Sequence, residues 1–387
     1  MGKKVTKAKP KPRPAIPNDV KTQLWTFSAG RCQFDNCNKP LWRHDVTMDA
    51  MNKSYIAHIY AYSPEGPRYD KLISPKLEKD FSNLMLVCDE CHRLFDDKSR
   101  LDDYSAERLI QMKKEHEERI QLLTDIKPEK KSHIVLFGAK IGQHATPLNY
   151  LNVRNAIIPE YYPFDSKAIE LGIKNVSLED VGENYWTMQE ENLTASFADK
   201  LKYVKEHSLT QHYSIFALAP QPLLIKLGVL LNDIYRAEVY QLHREPSTWK
   251  WQEEETEINY VLINPEKQAK RIALKFELSA TITDDRITSA IGEDTAIWSI
   301  KIDVPDNDYL RSKNQLRDFR KIVRKAFDQI KATHGQQTVL NIFPAMPVAT
   351  AVELGRVWMP KADMQMVIYD QNHKLNGFFK TIEIKPN

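Results

Sequence analysis

The chain has 387 residues, 42% hydrophobic and 28% charged, with 55 basic and 52 acidic side chains and a net charge of +3. That length accommodates two or three domains with sizeable cores, and the composition is that of an ordinary soluble globular protein. No apolar run is long enough to span a membrane, and no signal-peptide core follows the N-terminal lysines, so the expected location is the cytoplasm.

Charge is unevenly placed along the chain. The first 17 residues carry six bases (Lys3, Lys4, Lys7, Lys9, Lys11, Arg13) and no acid, residues 18–125 carry 16 bases and 19 acids, and the remainder carries 33 of each. The body has no positive field of its own. A polyanion would have to be met by local clusters, by the N-terminal arm, or by several copies acting together. That arm alternates Lys with Pro10, Pro12, Pro14 and Pro17, which predicts an extended segment, either a nucleic-acid contact or a solubilising leader.

Asn18-Asp19 offers a helix start ahead of Val20, Leu24 and Phe27, ending at Gly30 and delivering the chain to Cys32 and Cys37. Cys32 and Cys37 are spaced C-x4-C, and Cys88 and Cys91 C-x2-C, so no cysteine is left over. Two pairs, each giving two thiolates from a tight turn, suit one tetrahedral structural zinc in a reducing compartment. Between the pairs, Tyr55-Ile56-Ala57-His58-Ile59 reads as a strand. Residues 60–80, with Pro64, Gly66, Pro67 and Pro75, read as a loop bordering a substrate. Asn83-Leu84-Met85-Leu86-Val87-Cys88-Asp89-Glu90-Cys91-His92 then packs an Asn, the second cysteine pair and a His into one window. A purely structural zinc ribbon needs neither histidine and not the Asn. Ser105 should cap a helix over 106–123, with Leu109, Met112, Ile120 and Leu123 inward and its charges on a solvated face. The polar stretch 124–132 marks a boundary, giving an arm 1–17, a first domain 18–125, a linker 126–132 and a second domain 133–387.

The N-terminal residues resemble the HNH, or His-Me finger, nucleases that carry a zinc-binding cysteine quartet. The resemblance makes His58 in Ala-His-Ile the general base, Asn83 the residue that orients it, and His92 a ligand of a catalytic divalent metal. Many members carry Asp or His immediately before the base as a second metal ligand, whereas Ala57 stands here. Water, phosphate or a carboxylate from elsewhere must replace it, with Asp45 and Asp49 as candidates. Phosphodiester hydrolysis needs a water, a base and a cation on the developing charge. A neutral His and Mg2+ held by few protein ligands fit that need.

Beyond the boundary the texture becomes α/β. His133-Ile134-Val135-Leu136-Phe137-Gly138 and Ile272-Ala273-Leu274-Lys275-Phe276 read as buried strands. Ile215-Phe216, Pro220 and Leu227-Gly228 recur as Ile342-Phe343, Pro347 and Leu354-Gly355 at a constant offset of 127. Each copy predicts a strand, a Pro-bearing turn and a helix ending at Leu-Gly, hence two half-domains related by a pseudo-two-fold. Open α/β sheets bind ligands beyond the carboxyl ends of their strands, here Gly138-Ala139-Lys140, Ala219-Pro220-Gln221, Ser279-Ala280-Thr281 and Met346-Pro347. No Walker loop or G-x-G-x-x-G follows these strands, which argues against ATP hydrolysis or a nicotinamide cofactor. Lys140, Gln221, Arg244, Trp249, Ser279 and Thr281 are the candidate ligand contacts. Arg and Lys would meet phosphate and Trp would stack a base, unless Trp249 and Trp251 are core aromatics.

Phe216-Ala217-Leu218-Ala219-Pro220 through Leu227-Gly228, then Tyr240-Gln241-Leu242-His243-Arg244 and Trp249-Lys250-Trp251, resemble the SAVED domain, a fused pair of CARF-like units that senses cyclic oligonucleotides in CBASS anti-phage systems. The whole chain looks like an HNH–SAVED effector: a zinc-clamped ββα-metal module followed by a duplicated α/β sensor. That resemblance implies a double-stranded-DNA endonuclease activated by a cyclic dinucleotide, or less readily a trinucleotide, acting as a homo-oligomer away from membranes. The competing readings are a zinc-ribbon DNA-binding regulator with a ligand-sensing domain, which would not need His58 and His92, and a modification-dependent restriction endonuclease, which would cut without a small molecule.

Overall fold

The structure, a computed structural model, describes residues 14–140, 148–173, 182–252, 256–372 and 377–386. Most of the basic arm, residues 1–13, lies outside them. The chain divides into two compact units, Met1–Lys127 and Pro128–Asn387. Among the described residues no helix is long and apolar enough to cross a membrane.

The first unit runs α1 (Asn18–Phe27), β1 (Ser54–His58), α2 (Ser74–Leu77), β2 (Leu84–Cys88), α3 (Asp89–Phe95) and α4 (Ala106–Thr124). β1 and β2 pair antiparallel with His58 opposite Leu84, and α3 follows β2 directly, which makes a ββα unit. Every residue of β2 is buried, because both of its faces are covered. Leu84 packs with Leu24 and Ile16, while Met85, Leu86 and Val87 pack with Phe95, Leu109 and Met112. The expected loop 60–80 contains the short helix α2. Ser105 caps α4, its hydroxyl accepting from the Arg108 N–H at 3.3 Å. The inward stripe of α4 differs from the sequence reading. Leu109 and Met112 are buried, but the stripe continues through Lys113 and His116, while Leu123 is exposed. Lys113 is buried because Glu117 pairs with it and its ammonium lies 3.6 Å from the centre of the Phe81 ring.

The second unit runs β3 (Lys131–Gly138), α5 (Tyr150–Val153), β4 (Tyr162–Pro163), β5 (Ile169–Glu170), α6 (Glu183–Ser196), α7 (Tyr203–His207), β6 (His212–Leu218), α8 (Gln221–Leu231) and β7 (Arg236–Tyr240). It continues with β8 (Val261–Ile263), β9 (Arg271–Glu277), α9 (Asp284–Ile291), β10 (Thr295–Lys301), α10 (Lys313–His334), β11 (Val339–Ala345), α11 (Val348–Val357), β12 (Gln365–Asn372) and β13 (Gly377–Ile384). Lys131 and Ser132, expected in the linker, belong to β3, where the Ser132 hydroxyl bonds that of Ser214 at 2.8 Å.

Two sheets result. In one, β3, β6 and β7 are parallel neighbours, with β4 and β5 parallel to β3. In the other, β9, β11 and β12 are parallel neighbours, with β10 parallel to β9 and antiparallel β8 and β13 at the edges. The repeated residues occupy matching places, with Ile215 in β6 and Ile342 in β11, and with Pro220 and Pro347 as the N-caps of α8 and α11. The two Leu-Gly pairs do not end their helices, which is a correction. α8 continues to Leu231 and α11 to Val357 because the glycines serve packing instead. A Cβ on Gly228 would stand 1.9 Å from the Val352 carbonyl oxygen, and one on Gly355 would stand 2.0 Å from that of Ile225. The two contacts are reciprocal under the repeat, so the helices cross backbone to backbone on the pseudo-two-fold. Around that seam one apolar cluster extends from Val135 to Ile384 and joins both half-domains.

Candidate functional site

The four cysteines converge at the base of the ββα unit. Cys32 and Cys37 sit on a knuckle closed by Cys32 N–H to the Lys39 carbonyl and Cys37 N–H to that of Phe34, with Asn36 and Asn38 at positive φ. Gln33, which the sequence reading passed over, sews the knuckle to β2. Its backbone N–H and side-chain oxygen both bond Leu86, at 2.9 and 2.7 Å. The four ligand atoms lie within 4.8 Å of one another, and Sγ of Cys37 is 3.8 Å from Sγ of Cys88. Tetrahedral bonding at the usual zinc–sulfur length of about 2.3 Å puts sulfurs about 3.8 Å apart, whereas a disulfide needs about 2.05 Å. Donor set and spacing both fit a tetrahedral dication. Burial pushes the Cys32 thiol up to about 12 and raises Cys91 as well, while at Cys88 burial is outweighed by hydrogen bonds from Cys91, Cys37 and Cys32, which lower it. A bound cation would favour the thiolate form of all four.

His58 ends β1, buried, with Nε2 2.9 Å from the carbonyl oxygen of Glu78 in the 60–80 segment and its ring 5.2 Å from that of Tyr62. Asn83 clamps the exit of the same strand. Its side-chain oxygen accepts from Tyr60 N–H at 2.7 Å, its amide donates to the Tyr60 and Leu77 carbonyls, and its own carbonyl accepts from Ile59 N–H. His92 lies on α3 with its ring stacked on Tyr55, centroids 5.1 Å apart. Tyr55 and Ala57 share one face of β1, so Ala57 follows on the face that His92 covers. The structure therefore brings His58, Asn83 and His92 onto adjoining elements of one unit.

Asp45, one of the two carboxylates considered for the missing ligand, is exposed and pairs with Lys53 at 2.7 Å, and Asp49 is also exposed. The carboxylate beside His92 is instead Asp96, with Oδ2 3.2 Å from His92 Nε2. The i, i+4 spacing on α3 was the available signal. Asp96 is held by Arg68, which reaches its Oδ1 at 2.7 Å and also donates to the carbonyls of Ile59 and Phe95. Arg68 has a side chain only 5% exposed, so it fixes the end of α3 against the exit of β1.

In the second unit the candidate ligand residues are scattered over the strand ends. Lys140 follows β3, and its carbonyl accepts from the Tyr185 hydroxyl at 2.8 Å. Gln221 opens α8 with its buried side-chain oxygen unpartnered. Ser279 follows β9, its N–H bonding the Ala345 carbonyl, and Thr281 is exposed. Arg244 is exposed, its backbone N–H held by Asp308 at 3.1 Å. Trp249 corrects the expectation of a stacking platform. It is 5% exposed and packs edge-on against Phe216 beside Tyr240, as a core aromatic. None of the six lines the three cavities of about 450, 660 and 1010 Å3 in this unit. Gln241, which the sequence offered only as part of the SAVED resemblance, shows how the half-domains meet. It is buried after β7, and its oxygen accepts from Ala349 N–H in the first turn of α11 at 3.1 Å. The carboxyl end of one sheet thus adjoins the N-terminal end of a helix of the other half-domain. Trp186 and Gln189 on α6 are also buried with unpartnered polar atoms.

Twin, largely parallel sheets joined by a helix seam define a duplicated α/β architecture for the second unit. Residues 193–384 match the SAVED family, the SMODS-associated and fused to various effectors sensor domain, and the chain carries that sensor domain there. Among solved structures the chain is similar to the Cap4 SAVED/CARF-domain containing receptor of Acinetobacter baumannii with the cyclic trinucleotide 3′3′3′-cAAA, at 12% identity and a TM-score of 0.42, covering 80% of this chain and 61% of that one. It is also similar to the Moraxella osloensis Cap4 receptor, at 10% identity and a TM-score of 0.39, covering 82% and 70%. The chain thus spans about three-fifths of the length of the Acinetobacter receptor. No curated protein matches the sequence.

Proposed function

We infer that the chain is a metal-dependent HNH-type DNA endonuclease switched on by a cyclic oligonucleotide in CBASS-type anti-phage defence. The observation that carries this reading is the presence, in one chain, of a ββα unit bearing His58, Asn83 and His92 beside four convergent thiols and of a SAVED sensor domain. A carbonyl oxygen only accepts, so the His58 Nε2 facing Glu78 carries the proton and the neutral ring is basic at Nδ1. That nitrogen takes the proton of the attacking water, and Asn83 keeps the strand exit, and with it the ring, in place. His92 and Asp96 would hold the divalent cation, Mg2+ by its preference for few protein ligands, which supplies positive charge at the phosphate when bound. The cysteine quartet would hold zinc and fix β2 and α3 relative to β1. The ligand, bound between the half-domains, would favour a higher oligomer that pairs nuclease modules on one duplex, through its preference for the assembled state.

The test is plasmid DNA with Mg2+, protein and a panel of cyclic di- and trinucleotides, with light scattering alongside. Cleavage should require one of these compounds and coincide with a rise in mass. His58→Ala should lose cleavage while keeping ligand binding and melting temperature, and His92→Ala should lose it too. Cleavage by His58→Ala at the parent rate, or by the parent with no small molecule, would overturn the reading.

A further inference from the structure

The knuckle that carries Cys32 and Cys37 also builds a notch on its outer side. Trp25, Ala29, Gly30, Arg31, Pro40, Trp42 and Arg43 enclose a cavity of about 570 Å3, within the ~300–1,000 Å3 range of small-ligand sites. The two indoles meet edge to face, centroids 5.6 Å apart at 83°, and Trp42 remains 56% exposed. Gly30 sits at φ +64, where a side chain is strained, and a Cβ there would come within 3.3 Å of the Trp25 ring. The wall is rigid for a second reason. Gly30 accepts from Leu41 N–H at 2.9 Å, and Arg31 pairs with Pro40 in a β-bridge. Arg31 is aimed by one nitrogen on the Asn38 carbonyl at 3.0 Å, and Arg43 contacts the Met48 carbonyl at 3.4 Å. No carboxylate lines the cavity. The nearby Asp45 is turned to Lys53, and Glu90 to Lys39.

We propose that this notch takes an unstacked base of a nucleic-acid strand, with the base on the exposed Trp42 face and the adjoining phosphates on Arg31 and Arg43. The exposed Trp42 ring suits the face of a base, with the perpendicular Trp25 ring beside it, and two guanidinium groups with no acid lining the notch suit its backbone. A purely apolar partner would leave both cations without a counter-charge. Stacking on Trp42 needs a base with a free face, and the bases of an intact duplex are stacked on one another, so the ligand is a single strand or a displaced base. The proposal rests on the nuclease reading only for the presence of DNA.

The test uses full-length His58→Ala protein without divalent cation. Anisotropy of a labelled single-stranded DNA is compared with that of a duplex of the same sequence, with AMP as competitor. The single strand should bind more tightly. Trp42→Ala should weaken it ~5- to ~150-fold, the ordinary effect of removing one stacking platform, and Trp42→Phe should restore part of that loss. Arg43→Ala should weaken binding and reduce the slope of log affinity against log salt by about 0.7. Trp42→Ala binding the strand as tightly as its parent overturns the proposal. So does AMP filling the notch without displacing the strand, which would assign it to free nucleotides. Separate measurement of cleavage keeps the two readings apart. Trp42-dependent strand binding without cleavage by the parent removes the nuclease and keeps the notch, whereas normal cleavage with no Trp42 dependence does the reverse.

Discussion

In the unit Met1–Lys127 an apolar core around β2 is cross-linked by sulfur, guanidinium and amide contacts. Four thiols converge, Arg68 spans from the Ile59 carbonyl to Asp96, and Gln33 bonds Leu86 twice. In Pro128–Asn387 the centre is one apolar cluster from Val135 to Ile384, with two helices touching backbone to backbone at Gly228 and Gly355. The difference follows from size. The smaller unit buries a smaller fraction of its surface, so cross-links add to its apolar core, whereas the larger one relies on shape.

The strongest way to break this comparison is to remove the sulfur clamp. Cys88→Ser or Cys91→Ser should unfold the first unit, because a structural zinc site contributes on the order of 10 kcal/mol to folding. The second unit should persist as a protease-resistant fragment with its cooperative melt unchanged. Metal analysis of the parent should return about one zinc per chain, as a four-thiolate tetrahedral site requires. A well-folded protein without zinc would show that the first unit also stands on its apolar core.

Next in size is the seam of the second unit. Gly→Ala inside a helix normally stabilises by about 1 kcal/mol. At Gly228 the new methyl would meet the Val352 carbonyl oxygen at 1.9 Å, and that atom is backbone. The helices must separate, so Gly228→Ala should destabilise by about 4 kcal/mol or more, a loss confined to a few mechanisms of this kind. It should also abolish any response that depends on the relation of the half-domains. A melting temperature equal to the parent's would mean that the seam is soft.

This seam shows what was legible in the chain and what was not. The 127-residue offset announced the twin sheets and their matching helices. It misread the glycines, because a local rule, Gly as a helix stop, competed with a tertiary use that only the crossing partner reveals. The convergence of the four cysteines, and the placing of His58, Asn83 and His92 on adjoining elements, was legible because those residue types and spacings form a local pattern. Asp96 left only the i, i+4 spacing from His92, and Arg68 left nothing, since a guanidinium that bridges the carbonyls of Ile59, Phe95 and Tyr104 makes no local pattern. Trp249 failed as a ligand contact for the opposite reason. An aromatic near a strand end has the same sequence signature whether it stacks on a base or on Phe216.

Arg68 gives the third prediction. Arg68→Ala removes the buried partner of Asp96 and the donor to the Ile59 and Phe95 carbonyls. Removing one member of such a pair costs about 3 kcal/mol or somewhat more. Arg68→Lys, which keeps the charge but loses the planar fork, should recover only part of it. Thermal melts of the first unit check this. An unchanged melt for Arg68→Ala would show that this guanidinium is not one of the cross-links the first unit depends on.

The smallest expected effect concerns a polar edge of the otherwise apolar second unit, and it sharpens the contrast by showing where that unit depends on charge. His212 opens β6, its ring stacked on Tyr161 at 3.7 Å and its Nδ1 2.9 Å from the Ser132 hydroxyl. Burial first, then the charges of Lys313, Lys130 and Arg236 against the opposing Glu160, hold its pKa down to about 4. The folded state therefore keeps the ring neutral in a range where the unfolded chain, titrating near 6.5, binds a proton. Its contribution to stability is complete above pH 6.5, falls as pH drops through the window down to about 4, and falls no further below it. Because the ring is only partly shielded from water, the loss should be of order 1 kcal/mol. Lys313→Met would remove the largest of the neighbouring charges and leave the carboxylates of Glu160 and Glu238 without their partner. The His212 pKa should then rise toward 6.5, closing the acid-sensitive window from its lower side. NMR titration of the His212 ring proton reads both pKa values directly. A parent resonance already titrating near 6.5 would mean that water reaches the ring and that this edge carries no pH dependence.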